Sequence, residues 1–420
     1  MKMQARERRE IIAKAEAASE KLDAWIEGER FSGYEPHDAM NSPILHRLGS
    51  GNRLLGIAFL QAFRRSPVNL RSLVGIRKAC NPKGMGLFLA SYIRKYQLHR
   101  EESYLKTIRF LIGWLKANAT EGYSGQCWGY NFDWPNRAFY VKEGTPTIVN
   151  TVYIASAFLD NYDRCHDLEC LAIARSCCNF ILCDLNILEE DTGICFSYTP
   201  LDERYVYNAS LLGSALLARV YSYTREPELL EAAEKAARFI VCRQSSDGSW
   251  AYGEDRLDGW VDSFHTGFVL SSLGNFMRYS GMDEFMPCLE KGCRYYRENF
   301  FLPDGAPKYY PHRIYPIDVH SLSQAVLTLI QLREVDPAAH ELAYRVALWG
   351  INNMQDEEGF FHYQIHRFHR IRIPYIRWGQ AWMQKALTEL LLDSRQEKRI
   401  QDSQGRIGHD ATHRYSRVPC

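Results

Sequence analysis

A turn in which glycine leads into aromatic side chains returns along this chain at a nearly constant interval. Its cleanest copy is Asp247-Gly248-Ser249-Trp250-Ala251-Tyr252. Relatives run from Thr192-Gly193 to Phe196 and Tyr198, from Asp304-Gly305 to Tyr309, and from Glu358-Gly359 to Tyr363. The four glycines step by 55, 57 and 54 residues. A looser copy starts at Glu121-Gly122 and reaches Trp128 and Tyr130. A fixed period of this size is the mark of a supersecondary unit that buries its apolar face only against its neighbours.

Each turn separates two kinds of helix. The segment before it is amphipathic: in Glu226–Ile240 the apolar residues recur at i, i+3, i+4 and i+7, and Glu and Lys take the other face. The segment after it is small and apolar nearly all round, as in Asn208–Ala218 and His265–Leu273. Such a helix must be enclosed on nearly all sides. Six segments of the enclosed type begin near Gly84, Thr147, Tyr207, Ser263, His320 and Trp378. Five of the outer type begin near Tyr104, Leu168, Glu228, Phe285 and Ala338, with Leu54–Phe63 available as a sixth. The pattern predicts an all-α (α/α)6 toroid of six helical hairpins with short β-like turns. An open solenoid would instead need capping repeats at its ends. The expected division is a helical extension over residues 1–50, the toroid over 51–395, and a polar, disordered tail over 396–420.

Composition narrows the function. The 51 Lys and Arg nearly balance 50 Asp and Glu, for a net charge of +1, which argues against wholesale binding to nucleic acid or an acidic membrane. No uncharged apolar run of about 18 residues is present, so no transmembrane segment is expected. The charged start, Met1 to Glu10, lacks the apolar stretch of a secretory signal and points to the cytoplasm. The 12 cysteines include Cys170, Cys177, Cys178 and Cys183 on one apolar segment, where thiols act as small hydrophobes. No paired CxxC motif offers a zinc site.

The connections into the enclosed helices carry the chemistry. In a ring of hairpins they line one end of the cavity, and five of them mix aromatic with polar side chains. The first, Gln126 to Arg137, holds Trp128, Tyr130, Asp133, Trp134 and Asn136. The second, Tyr198 to Asn208, holds Tyr205 and Tyr207. The third, Trp250 to His265, holds Tyr252, Asp258, Trp260 and Asp262. The fourth, Tyr309 to His320, holds Tyr310 and Asp318. The fifth, His362 to Gln380, holds Tyr375, Arg377 and Trp378. Flat aromatic faces suit the C–H faces of sugar rings, while carboxylates, amides and guanidinium groups bind hydroxyls or acids. The competing structural role is that the aromatics wedge the loops and Asn208, Asp262 and Asp318 cap helix N-termini.

The alternating helices, the Gly248-Ser249-Trp250-Ala251-Tyr252 type of turn and the polar helix starts resemble the six-hairpin glycosidase superfamily over roughly residues 50–395. That superfamily includes glycoside hydrolases, polysaccharide lyases, sugar 2-epimerases and the helical domain of glucuronyl C5-epimerases. The resemblance implies a saccharide or polysaccharide substrate; no motif transfers a particular family's catalytic residues. Two chemistries stay open. Hydrolysis needs two carboxyls, for which Asp133, Asp258, Asp262 and Asp318 are candidates. Lyase or epimerase chemistry needs an acid/base pair beside a group that neutralises the substrate's acid, for which Tyr205, Tyr207, His265, His320 and Arg377 are candidates. The Tyr, His and Arg content favours a uronic-acid-containing or otherwise acidic saccharide. His265 and His320 each follow an aspartate closely, but without HExxH-type spacing no metal is expected, nor any organic cofactor.

The expectation is therefore a carbohydrate-active enzyme serving cell-surface polysaccharide synthesis or modification. Gln244 to Trp250 also resembles the Gln-to-Trp turn of terpenoid cyclases and protein prenyltransferases, which use α/α toroids, but the Asp-rich and zinc motifs of those enzymes are missing. A non-catalytic saccharide- or protein-binding toroid is the third reading. It predicts a mouth with no carboxyl, Tyr or His pair within reach of one sugar ring.

Overall fold

A computed structural model describes residues 3–49, 51–135 and 140–413, with side chains described through Lys398. Six inner helices, α4 (Pro82–His99), α6 (Ile148–Cys165), α8 (Tyr207–Thr224), α10 (Ser263–Ser280), α12 (Val319–Gln331) and α14 (Trp382–His413), pack each on the next, and α14 returns to pack on α4. The ring closes. Five outer helices follow the inner ones: α5 (Glu102–Ala117), α7 (Leu168–Asn179), α9 (Pro227–Val241), α11 (Met286–Asn299) and α13 (Pro337–Met354). The sixth outer helix is α1 (Ala5–Gly28), which lies against α13 and α14. Residues 5–28 are thus part of the toroid, and the expectation that Leu54–Phe63 completes the outer ring is corrected. That segment belongs to a two-helix excursion, α2 (Pro43–Gly49) and α3 (Arg53–Arg65), which has its own small core of Ala39, Leu45 and Leu60.

The residue types explain the two rings. From Tyr207 to Val220 every residue of α8 is buried, whereas α9 buries Leu229, Ala233, Ala236, Ala237, Phe239 and Ile240 and turns Glu228, Glu231 and Lys235 outward. Such one-sided burial is what a 3.6-residue apolar period produces when a helix is covered on one face.

The repeated glycines have a shared task. Gly193, Gly248, Gly305 and Gly359 all have positive φ, between 94° and 136°. Each turn leans on the next outer helix: a Cβ on Gly193 would strike the Lys235 carbonyl of α9, and one on Gly359 would strike the Lys21 carbonyl of α1. The last turn therefore docks on the first helix of the chain, the contact that makes α1 the sixth outer member. In the looser first copy Gly125, not Gly122, makes the corresponding approach, to the Ser176 carbonyl of α7. Gln244 donates to the carbonyls of Gly248 and Cys288, and Gln355 likewise to Gly359 and Ala18. The Gln-to-Trp turn is thus a stitch between neighbouring hairpins.

Short strands decorate the connections: β1 (Trp134–Pro135) with β2 (Tyr140–Val141), β3 (Ile187–Glu190) with β4 (Gly193–Phe196), and β5 (Ile317–Asp318), β6 (Gln364–Ile365) and β7 (Arg370–Ile371), all antiparallel. Helix α14 continues through the segment expected to be a disordered tail as far as His413; residues 414–420 lie outside the described residues. Cys127, Cys170, Cys177, Cys178, Cys195 and Cys293 are buried free thiols, as hydrophobic filling requires. No described helix is long and apolar enough to cross a membrane.

Candidate active site

The inner helices begin at one end of the ring, around a cavity of about 300 Å³. Lys83 of α4, Val149 of α6, Asn208 of α8, His265 of α10 and His320 of α12 all line it from the first turns of their helices. Arg377 and Trp378 come from the π-helical turn Ile376–Ala381 that leads into α14. Helix N-termini carry unpaired N–H groups and partial positive charge, so their convergence favours an electron-rich ligand. Tyr130, Phe132, Trp134, Tyr198, Tyr252, Trp260, Tyr309 and Tyr310 supply aromatic walls from the loops. Among the described residues no Asp or Glu lines the main cavity; Asp262 lines a small recess that shares Asn208, Tyr252, Trp260 and His265 with it.

Two imidazoles face this space in different states. Asp262 is the N-cap of α10: Oδ1 accepts the backbone N–H of His265 at 2.9 Å, and Oδ2 lies 2.8 Å from His265 Nδ1. A carboxylate only accepts, so Nδ1 carries the hydrogen, and Nε2 has no hydrogen-bond partner among the described residues. Asp318 is the N-cap of α12 and accepts the His320 N–H at 2.8 Å, but its carboxylate then turns to Gln364 at 2.6 Å and Trp378 Nε1 at 3.1 Å. His320 is left 2% exposed with neither ring nitrogen hydrogen-bonded to any described residue, between Trp378 and Trp382 at centroid distances of 4.6 and 4.8 Å. Burial, reinforced by Lys83, Arg377 and His265, holds its pKa well below the usual histidine value, so it is an uncharged base. Leaving such a group unpaired costs about 1–3 kcal/mol, and that penalty concentrates at functional sites.

Cations surround the pair. Lys83 is 3% exposed and makes no hydrogen bond or ion pair with any described residue; its ammonium nitrogen sits 4.5 Å from the Tyr153 ring centre and 5.3 Å from that of Trp382. Burial, with Arg377 nearby, lowers its pKa well below the lysine norm. Arg64 reaches in from α3 and donates to the Tyr363 hydroxyl at 3.0 Å. Arg377 is held by Glu35 at 2.8 Å, both being buried, and lies over the Tyr130 ring at 5.0 Å. Burial pushes the Glu35 carboxyl up to about 7 against the pull of Arg377. Glu35 is anchored in turn through Arg71, which donates to its carbonyl at 2.9 Å and to Asp38 at 2.8 Å.

No family model matches the chain, and no curated protein matches it. Solved structures do. Cellobiose 2-epimerase from Bacillus thermoamylovorans B4167 superposes with a TM-score of 0.57 at 13% identity, over 74% of this chain and 88% of its own. A GH76 alpha-mannanase from Bacteroides thetaiotaomicron gives 0.57 at 14%, over 77% and 88%. D-mannose isomerase gives 0.57 at 12%, over 75% and 87%. The fold is the six-hairpin (α/α)6 toroid.

Within this toroid all five predicted loops reach the cavity, and their candidates divide. His265, His320, Arg377, Tyr130, Trp134, Asn208, Tyr252, Trp260, Tyr309, Tyr310 and Trp378 line it. Asn208 does so as a member of α8 and not as its cap; Val206 holds that position, and the Asn208 Oδ1 has no partner. Asp262 and Asp318 stand behind the two histidines. The rest lie elsewhere. Asp133 is bonded to the Tyr140 hydroxyl and to the Glu143 N–H at 2.7 Å. Asp258 is clamped by Arg204. Tyr207 donates to Glu254 at 2.7 Å, while the carbonyl of half-buried Tyr205 accepts the Glu254 N–H. Trp128 and Trp250 are buried and donate to the last-turn carbonyls of outer helices, at Leu115 and Ile240, both at 2.9 Å. Tyr375 packs on Arg71 and Tyr363, and Gln380 pairs with the backbone of Phe361. Asn136 and Arg137 lie outside the described residues.

Sequence reasoning missed Glu35, Arg64, Lys83 and His37, the last of which lines the cavity with its ring 6.0 Å from that of Trp134 and 5.6 Å from that of Trp378. Lys83 had a signal: it is a cation in the first turn of a helix that is otherwise apolar to Ile93. The others sit in segments set aside as an extension or as an outer helix.

Proposed function

We propose that this chain is a carbohydrate-active enzyme that removes a proton beside the acid group of a uronate-type saccharide. It then either returns a proton to the opposite face of that carbon, as an epimerase does, or lets the glycosidic oxygen β to the acid leave with a proton, as a lyase does. The observation that carries the reading is the pairing of a neutral, unpartnered His320 with a carboxylate-oriented His265 across one cavity that contains cations and no carboxylate. Hydrolysis by two carboxyl groups needs acids flanking the bond, and the cavity's described lining supplies none. A sugar epimerase and a sugar isomerase among the structures sharing this fold lend it support. A pure binding module is disfavoured by the two imidazoles, and a terpenoid pocket by Lys83, Arg64 and Arg377.

In this reading His320 takes the proton from carbon, and His265, whose Nδ1–H is held by Asp262, exchanges a proton through Nε2 on the other side. Arg64 and Arg377 receive the substrate carboxylate and stabilise charge as it develops, and the buried Lys83 amine offers that carboxylate a hydrogen-bond donor. Trp260, Tyr252 and Trp378 present faces for the sugar ring. The volume is at the lower end of the roughly 300–1,000 Å³ typical of ligand pockets, room for one or two sugar units. Uronates are constituents of acidic polysaccharides, which supports placing the activity in cell-surface polysaccharide modification.

The test is to incubate the protein in deuterated water with oligosaccharides of glucuronate, galacturonate and mannuronate, and with cellobiose and mannose as neutral controls. Deuterium on a ring carbon, or an unsaturated uronate, is expected with an acidic substrate and is expected to disappear in His320→Gln and His265→Gln. Turnover of only the neutral sugars would remove the acidic-substrate part. Turnover undiminished in both variants would remove the site.

A further inference from the structure

The near-zero net charge conceals one strongly one-sided region. Between Asp38 and Glu101 the chain contains no Asp or Glu, while Arg47, Arg53, Arg64, Arg65, Arg71, Arg77 and Lys78 fall in the excursion and its return to α4. The same excursion carries a dense group of exposed aliphatic side chains: Ile44, Leu48, Leu54, Leu55, Val68 and Leu73, with Leu54 at 74% and Leu73 at 78% exposure. These are not the packing residues of the excursion. In α3 Gly56 and Leu60 are buried and Phe59 and Phe63 pack inward, whereas Leu54, Ala58 and Ala62, spaced by four, face outward with Leu55. In α2 Leu45 is buried while Ile44 and Leu48 are exposed one turn apart. An apolar outer face beside exposed cations (Arg47, Arg65 and Arg77) is the makeup of a surface that seats shallowly in the headgroup region of an anionic bilayer.

We infer that residues 43–49 and 51–78 form a membrane-surface docking platform specific for anionic lipid, through the outward aliphatic faces of α2 and α3 and the arginines beside them. The occupant is assigned by charge complementarity: Lys78 and Arg71 are paired with Glu29 and Asp38, but the exposed Arg47, Arg65 and Arg77 beside the aliphatic face select a negatively charged surface, and the aliphatic side chains select one with an apolar interior. Arg64, on the same helix, lines the cavity, so docking would bring the cavity to substrates held at the lipid surface. The inference is independent of the reaction proposed above.

The experiment is sedimentation of the full-length protein with vesicles of phosphatidylcholine alone and of phosphatidylcholine with phosphatidylglycerol. Expected is binding to the anionic vesicles, at least tenfold weaker to the neutral ones and weakened by high salt. Leu54→Glu/Leu73→Glu and Arg47→Glu/Arg65→Glu should each reduce it at least tenfold, with thermal unfolding unchanged because the altered side chains are exposed. Failure to bind, equal binding to both vesicle types, or binding retained by the leucine variant would overturn the inference. A concentration-dependent dimer abolished by the leucine variant would overturn it too, giving the surface to a second copy of the chain.

Discussion

The starts of α10 and α12 look alike in sequence and act differently in space. Both begin with an aspartate N-cap followed closely by a cavity-lining histidine. With two residues between them, Asp262 caps α10 and still reaches the imidazole of His265 at 2.8 Å. With one residue between them, Asp318 caps α12 but sends its carboxylate to Gln364 and Trp378, and His320 has no partner. One spacing yields an oriented imidazole and the other an isolated one. Acid/base chemistry benefits from groups whose surroundings separate their roles in this way.

The comparison can be broken by removing either ring. His320→Gln and His265→Gln should each lower deuterium incorporation by about 10²- to 10⁴-fold, the usual contribution of a positioned acid or base; an effect confined to one would leave the other as packing. The aspartates should then separate. Asp262→Asn should cost turnover heavily, by up to about 10⁴-fold, since an amide can present the wrong group to Nδ1, the kind of tautomer error expected when an orienting carboxylate is replaced. Asp318→Asn should show mainly in thermal unfolding, by about 1–3 kcal/mol for a disturbed buried hydrogen-bond set. Equal kinetic loss in both would erase the distinction.

Smaller effects sharpen it. His320 is held neutral when folded, so between pH 6.5 and 5 the unfolded chain binds a proton that the folded one refuses. Stability from this group is present above 6.5 and falls with pH below it. Denaturant titrations across this window should show His320→Gln losing less than the parent. Smallest of all, Lys83→Met removes an amine whose protonated form opposes protonation of His320. The acid limb of kcat/KM should therefore move upward in pH, by less than about one unit; a downward movement would assign that limb to another group.

Much of this was legible beforehand for physical reasons. Alternation of enclosed and amphipathic segments fixes burial, because a helix apolar on all sides has no place except inside. The turn glycines were visible because only a residue without Cβ can approach the Lys235 or Lys21 carbonyl with positive φ. The convergence of loops followed from the ring. Individual roles did not follow. Trp128 and Trp250 look like sugar platforms, yet they serve as wedges, since an indole satisfies a helix-end carbonyl as well as it stacks on a ring. Asp258 looks like a free acid until Arg204 is placed beside it.

The amino-acid order alone determined the hairpin count, the two helix classes and the end of the ring where the polar loops gather, all of which depend on local periodicity. Only the tertiary structure decided that α1 closes the outer ring, that Glu35 and His37 travel with it to the cavity, and that His320 stands unpartnered beside Lys83. Those outcomes depend on contacts between residues hundreds of positions apart, such as Glu35 with Arg377, and such contacts leave no mark on the pattern of either segment.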